Sequence, residues 1–121
     1  MEQPEWLFDL SPTAPADRRE RAFRAFLATW QQPIYGFIRR MVLTHEDADD
    51  VTQETLVQVA RSVDSFRGEA AFSTWLYQIA NRKALDHIAA KQRRAARWTR
   101  WAPQMEDRLA ALSADPHFDG E

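Results

Sequence analysis

Acidic side chains crowd one short segment of this chain, and arginines crowd another. Residues 45–54 hold five Asp or Glu and no base, whereas Asn81 to Trp101 hold seven bases and one acid. Carboxylates at close spacing can move protons, gather a divalent ion or meet a cationic partner. A basic block can hold phosphates. For catalysis the carboxylates need helpers. The histidines His45, His87 and His117 are far apart and are expected to make no i, i+4 pairing with another ligand. Asp86 and His87 are adjacent, so on a helix they point about 100° apart and cannot make the orienting bond of a triad. Asp47, Asp50 and Glu54 could approach an ion, but carboxylate metal bundles pair acids with His from several inward-facing helices, and here the acids lie opposite the apolar side. There is no Cys for a thiolate or a disulfide, and the 3 Gly are too few for a phosphate-cradling loop. No catalytic residue, metal or cofactor is expected. The chemistry to look for is binding.

Set out at about 100° per residue, Ala48, Val51, Thr55, Leu56, Val59 and Val63 share one side of a helix. Asp47, Asp50, Gln53, Glu54 and Arg61 share the other, with Val57 among them. An apolar residue inside an acidic stripe suits a protein-binding surface; acids near a helix N-terminus also occur on plain solvated faces. Ahead of the basic block lie Phe66, Phe72, Trp75 and Tyr77, around the loop Phe66-Arg67-Gly68-Glu69-Ala70. Aromatic faces beside cations can hold unstacked single-stranded bases. The same rings can equally be core, and for Phe72 that reading weighs more. Gly68 would let a backbone approach closely.

The elements that position these residues read as helical throughout. The 121 residues fit one compact domain. Residues 1–16, with Pro4, Pro12 and Pro15, read as a flexible leader. Asp17 and Glu20 have the form of a capping box opening a helix to about Gln31, and Pro33 opens a second that closes near Leu43. Thr44 with Asp47 signals the cap of a third, from His45 to about Asp64. A fourth runs from about Ala71 to Arg94. Beyond it, Trp98 and Trp101 sit among Arg97 and Arg100, and Pro103 restarts a short helix carrying Met105, Leu109 and Leu112. The expectation is an all-α four-helix bundle over residues 17–95, its last helix long, with a partly helical linker over 96–121. The overall charge of −2 hides blocks of opposite sign, which suggests different partners for different faces. No uncharged run approaches the roughly 20 residues of a membrane span, and the start lacks the basic and apolar blocks of a secretory signal. A cytoplasmic protein without membrane insertion is expected.

Four ordered pieces then carry a resemblance. They are Asp47-Ala48-Asp49-Asp50-Val51-Thr52-Gln53-Glu54-Thr55, Phe66-Arg67-Gly68-Glu69, Phe72-Ser73-Thr74-Trp75-Leu76-Tyr77-Gln78-Ile79-Ala80 and Ala84-Leu85-Asp86-His87. The stretch from Ala22 to Arg94 resembles conserved region 2 of bacterial sigma factors of the extracytoplasmic-function (ECF) group. The resemblance implies a transcription initiation factor domain that binds core RNA polymerase and recognises and melts the promoter minus-ten element. By it, Asp50, Gln53 and Glu54, flanked by Asp47, Val57 and Arg61, meet the coiled coil of the β′ clamp. The loop Phe66, Arg67, Gly68, Glu69, Ala70 and Ala71 captures a flipped base. Phe72, Trp75 and Tyr77 open the strands, and Asn81, Arg82, Lys83, Asp86 and His87 read the single-stranded non-template strand. An anti-sigma factor is an implied further partner.

Two departures accompany the match. Family members commonly carry Asn two residues after the Ile-Ala pair, whereas Ile79-Ala80 is followed directly by Asn81. The second helical domain usual in the group, which reads the minus-thirty-five element, does not follow, so the chain is expected to be part of a longer protein. The competing readings are a natural single-domain regulator and a helical protein-interaction module without a DNA role.

Overall fold

The structure, a computed structural model, describes residues 3–114. Three long helices dominate it: α1 (Ala16–Arg39), α2 (His45–Ser62) and α3 (Phe72–Ala114). Single 3-10 turns occupy Phe8–Leu10 and Val63–Ser65, and there is no strand among the described residues. The all-α expectation is met.

The helix count is three rather than four because neither proline breaks its helix. Pro33 lies inside α1, on its exposed side. A proline there removes the bond that its N–H would have made to the carbonyl of Thr29. Ile34 and Ile38, both fully buried, carry the helix past that gap by packing. Each such side chain contributes about 1.5–3 kcal/mol on burial, comparable with the roughly 3 kcal/mol an interior proline costs. Pro103 likewise lies inside α3, which runs on to Ala114 instead of closing near Arg94. Both prolines follow a threonine at i−4 whose hydroxyl donates to the preceding turn, Thr29 to Ala25 O and Thr99 to Ala95 O, each at 2.9 Å.

The helix starts divide in the same way. Thr44 caps α2, its hydroxyl accepting from the Asp47 N–H at 3.1 Å. At α1 no capping box forms. Pro15 is the N-cap, Asp17 pairs with Arg21 at 3.3 Å and Glu20 with Arg24 at 2.7 Å. Acid-before-base pairs at this spacing support an exposed helix by a few tenths of a kcal/mol each. The segment ahead of α1 is not a loose leader over residues 6–10. Leu7 and Leu10 are buried, and the Trp6 ring meets Phe26 at 5.6 Å and Phe72 at 5.5 Å.

By internal packing the chain divides into residues 1–87 and 88–121. The first unit holds the core, in which Phe26, Ile34, Ile38, Val51, Val59 and Leu76 are fully buried. Thr55 is buried with them and satisfied, its hydroxyl donating to Val51 O at 2.8 Å. The described part of the second unit is helix, exposed from Lys91 to Trp101. The part of the expected linker from residue 115 onward lies outside the described residues.

Thr44→Ala is expected to lower the unfolding free energy by about 1 kcal/mol by removing the α2 cap. Phe26→Ala is expected to lower it by about 3–5 kcal/mol. Urea denaturation followed by circular dichroism checks both.

Candidate functional site

The exposed side of α2 is built as the periodicity requires. Asp50, Gln53, Glu54 and Arg61 are exposed, and Val57 among them keeps 45% of its surface in solvent. These side chains line a shallow hollow of about 380 Å³, closed at one edge by Gln58 and by Lys83 of α3. A carboxylate pair around an exposed valine, with ammonium and guanidinium at the margin, offers charge-assisted bonds and a small apolar anchor.

Asp47 departs from this stripe. Its carboxylate is 15% exposed and lies 3.2 Å from Nε2 of His87, itself 18% exposed. On the helix Asp47 is the member of the stripe nearest to fully buried Val51, so it faces the neighbouring helix and not solvent. A residue that the resemblance assigns to the polymerase surface and one that it assigns to the DNA surface thus lie against each other, with no hydrogen bond formed at His87 Nε2.

Beside the hollow, and sharing Gln58 and Lys83 with it, lies a cleft of about 440 Å³. Trp75, Gln78, Ile79, Arg82 and Asp86 of α3 form one wall, and Ser62 at the end of α2 and Ser65 of the following 3-10 turn contribute to the other. Ser65 Oγ donates to Ser62 O at 2.6 Å, and Gln58 Nε2 bonds the Ser62 hydroxyl. Sequence reasoning missed Gln58, Ser62, Ser65 and Gln78 as site residues. The signal available was the polar i, i+4 pair Gln58–Ser62 at the close of an otherwise apolar helix side.

Among the aromatics the division is sharp. Phe72 is buried, ringed by Trp6, Phe26, Trp30, Phe66 and Trp75 at 5.5–6.4 Å. It is core, and a base could reach it only if that cluster opened. Trp75 is half-buried with one side on the cleft, and Phe66 lies against it at 5.1 Å. Tyr77 is two residues from Trp75 and so about 200° away around the helix. It packs edge-on against Trp30 and Phe37 of α1, at 6.0 and 5.1 Å. Neither Tyr77 nor exposed Asn81 lines the cleft.

The loop leaves Arg67, Gly68, Glu69 and Ala70 exposed, with Ala71 half-buried. Gly68 has φ +76°, the left-handed region that disfavours a Cβ, which is why glycine stands there. Gln3 Nε2 reaches the Ala70 carbonyl at 3.5 Å. One further pairing escaped the sequence. His45 bonds Tyr35 through Nδ1, and its Nε2 lies 3.1 Å from Asp49, an i, i+4 pairing against the expectation of none. No group of three or more His, Cys, Asp or Glu among the described residues is placed to hold a metal ion.

The family described as Sigma-70 region 2 matches residues 26–94, more than half of the chain. The chain belongs to this family. Among curated relatives it is similar to the RNA polymerase sigma-H factor of Pseudomonas aeruginosa, with 41% identity over 75 residues. That match takes in 62% of this chain and 39% of the relative. The ECF RNA polymerase sigma-E factor of Haemophilus influenzae is 38% identical over 91 residues, 75% of this chain and 43% of the relative. The sigma-E factor of Escherichia coli K12 is 37% identical over 75 residues, 62% and 39% of the two chains. The chain therefore spans about two fifths of the length of these relatives. The region 2 match takes in α2, the loop and the cleft-lining turns of α3; the Trp6 segment and the helix beyond Arg94 lie outside it.

Asp47→Ala and His87→Ala are each expected to cost about 1–2 kcal/mol of stability, since each leaves a largely buried polar partner behind. The double variant is expected to lose less than the sum, and a double-mutant cycle in urea measures the difference.

Proposed function

We propose that this region 2 chain is a non-enzymatic domain of a transcription initiation factor. In this reading it docks on core RNA polymerase through α2 and binds the opened minus-ten strand of a promoter in the cleft of α3. What supports the reading is the juxtaposition of the two surfaces. An acidic stripe with Val57 at its centre adjoins a cleft with an aromatic wall and the cations Arg82 and Lys83.

The partner on α2 would be the coiled coil of the β′ clamp. Arginines there would bond Asp50 and Glu54, and Val57 would bury against an apolar neighbour. In the cleft, Trp75 supported by Phe66 offers a stacking face, while Arg82 and Lys83 supply charge for the phosphate backbone. Exposed backbone groups of Arg67 to Ala70, opened by the conformation at Gly68, suit a base turned out of the strand. Asn81 stands apart from the cleft, so Arg82, Asp86 and Gln78, which line it, would be the polar groups to meet base edges. An anti-sigma factor would act by covering either surface. RNA polymerase and promoter DNA as partners would set this work in the cytoplasm, and none of the described helices is long and apolar enough to cross a membrane.

The full chain is expected to bind core RNA polymerase, and Asp50→Arg with Glu54→Arg to weaken that binding at least tenfold with helicity unchanged. Trp75→Ala and Arg82→Ala are expected to leave polymerase binding intact. They should reduce the preference of the polymerase–chain complex for single-stranded over duplex oligonucleotides. Equal polymerase binding by the double charge reversal would refute the docking surface. An unchanged strand preference in both cleft variants would favour a protein-interaction module without a DNA role.

A further inference from the structure

The segment ahead of α1 reaches the loop that precedes α3. Trp6 fixes it there, its ring 5.6 Å from Phe26 and 5.5 Å from Phe72, and Leu7 beside it is buried. A turn closes at this anchor, the Leu7 N–H donating to the Pro4 carbonyl at 3.2 Å. Gln3 stands just before that proline, which biases it toward extended backbone. Its side chain lies over the loop. Nε2 donates to the Ala70 carbonyl at 3.5 Å, and a Cβ added to Gly68 would come 4.0 Å from the same nitrogen. This segment lies outside the region 2 match.

The contact is poorly made. A separation of 3.5 Å exceeds the usual N–H···O range of roughly 2.7–3.2 Å. The other half of the amide, Oε1, is shielded from solvent and has no hydrogen-bond partner among the described residues. An acceptor buried without a donor destabilises the arrangement that holds it there. The Trp6 anchor therefore keeps the amide over the loop more than the amide's own bonds do. A group that met the loop better would displace it at small cost. Gly68, at φ +76°, gives the loop a bare backbone, and the group that now uses this close approach is a primary amide. Such an amide sets an N–H donor beside an acceptor, as a base edge sets an amino group beside a ring nitrogen.

We infer that Gln3 is a built-in competitor for the base site of the loop, its amide holding the Ala70 carbonyl that the amino group of a captured base would take. The inference rests on the proposed strand-binding function and goes further by naming the class of base. Ala70 offers an acceptor. Adenine and cytosine can meet it with their exocyclic amino groups N6 and N4, as the Gln3 amide does now. Thymine and uracil present a carbonyl at the corresponding position, and two acceptors repel. The loop therefore favours an amino-bearing base, and Gln3 sets the threshold that such a base must exceed.

The test uses the complex of the full chain with core RNA polymerase and two single strands, oligo(dC) and oligo(dU), of equal length. Wild type is expected to bind oligo(dC) more tightly. Gln3→Ala is expected to tighten oligo(dC) binding by a further factor of roughly two to ten, the range that one neutral hydrogen bond covers. Its effect on oligo(dU) should be smaller. Polymerase binding and the urea midpoint should stay as in the wild type, since Gln3 belongs neither to the hollow nor to the buried core. Because the chain has no Cys, Gln3→Cys with Ala70→Cys can be joined by a short bis-maleimide. The linked form should lose the oligo(dC) preference that the unlinked double variant keeps. Unchanged or weaker oligo(dC) binding by Gln3→Ala overturns the inference, as does an equal gain for both strands. Trp75→Ala and Arg82→Ala in the same complex test the strand-binding reading itself. A wild type that responds to those variants but not to Gln3→Ala overturns the inference alone, whereas a complex that binds no single strand overturns both.

Discussion

Phe72 is the first residue of α3, and its burial is the constraint on which the first unit depends. Its ring closes against Phe26 of α1, Trp6 of the N-terminal segment, and Phe66 and Trp75 on either side of the loop. An enclosed aromatic of this size contributes several kcal/mol by area and edge-to-face contact together. One anchor therefore does three things. It sets where α3 begins, draws the N-terminal segment onto the bundle, and pins both ends of a loop whose middle stays in solvent. Residues 67–70 are exposed because Phe66 and Phe72 are not. A loop held at its ends by packed rings can present backbone groups without having to be ordered by its ligand, which lowers the entropic cost of binding.

What could be read from the residues alone follows from the range of the interaction concerned. Thr44 caps the next turn through a bond three residues away, and the sequence shows both partners. The apolar and acidic sides of α2 follow from helical period, and apart from Asp47 the structure keeps them. Asp17 with Glu20 has the same local form as a true cap, yet the chain enters α1 from Pro15 and the acids pair with arginines instead. Local propensity was overruled likewise at Pro33, where the deciding fact is the burial of Ile34 and Ile38 against other elements. The sequence groups Tyr77 with Phe72 and Trp75 as aromatics beside the loop. Which neighbour each meets depends on where α1 lies, and no spacing within α3 contains that. The cleft was legible only on its α3 side, since its other wall comes from the end of α2 and the 3-10 turn after it.

The Asp47–His87 contact changes how the two candidate surfaces relate. A solvated acid on α2 would leave docking and strand reading as independent properties of two helices. The structure instead spends one acid of the acidic segment on α3, close to where the reading face ends. Lys83 repeats the pattern from the other side, being a residue of α3 that completes the hollow on α2. Any force that tilts α3 against α2 must disturb a polar contact that is largely shielded from water. The hollow and the cleft therefore adjoin as one face, sharing Gln58 and Lys83.

The magnitudes say how that face would have to work. A base stacked on an aromatic side chain is worth about 1–3 kcal/mol. The cleft has one such platform, Trp75 backed by Phe66, because Phe72 is committed to the core and Tyr77 to α1. Parting DNA costs on average about 1.4 kcal/mol per base-pair step. One stacked base and its pocket contacts thus offset one or two steps, well short of an opened promoter element. The charge of Arg82 and Lys83 adds affinity for phosphate in open strand and duplex alike, and only base-edge contacts of the kind proposed for Arg82 would tell the two apart. Strand capture by this chain alone would be weak. It would become effective once α2 was docked, because the cleft would then meet the strand at a high effective concentration and the polymerase would supply the remaining contacts. On the proposed function, the shared edge between hollow and cleft is therefore a thermodynamic requirement.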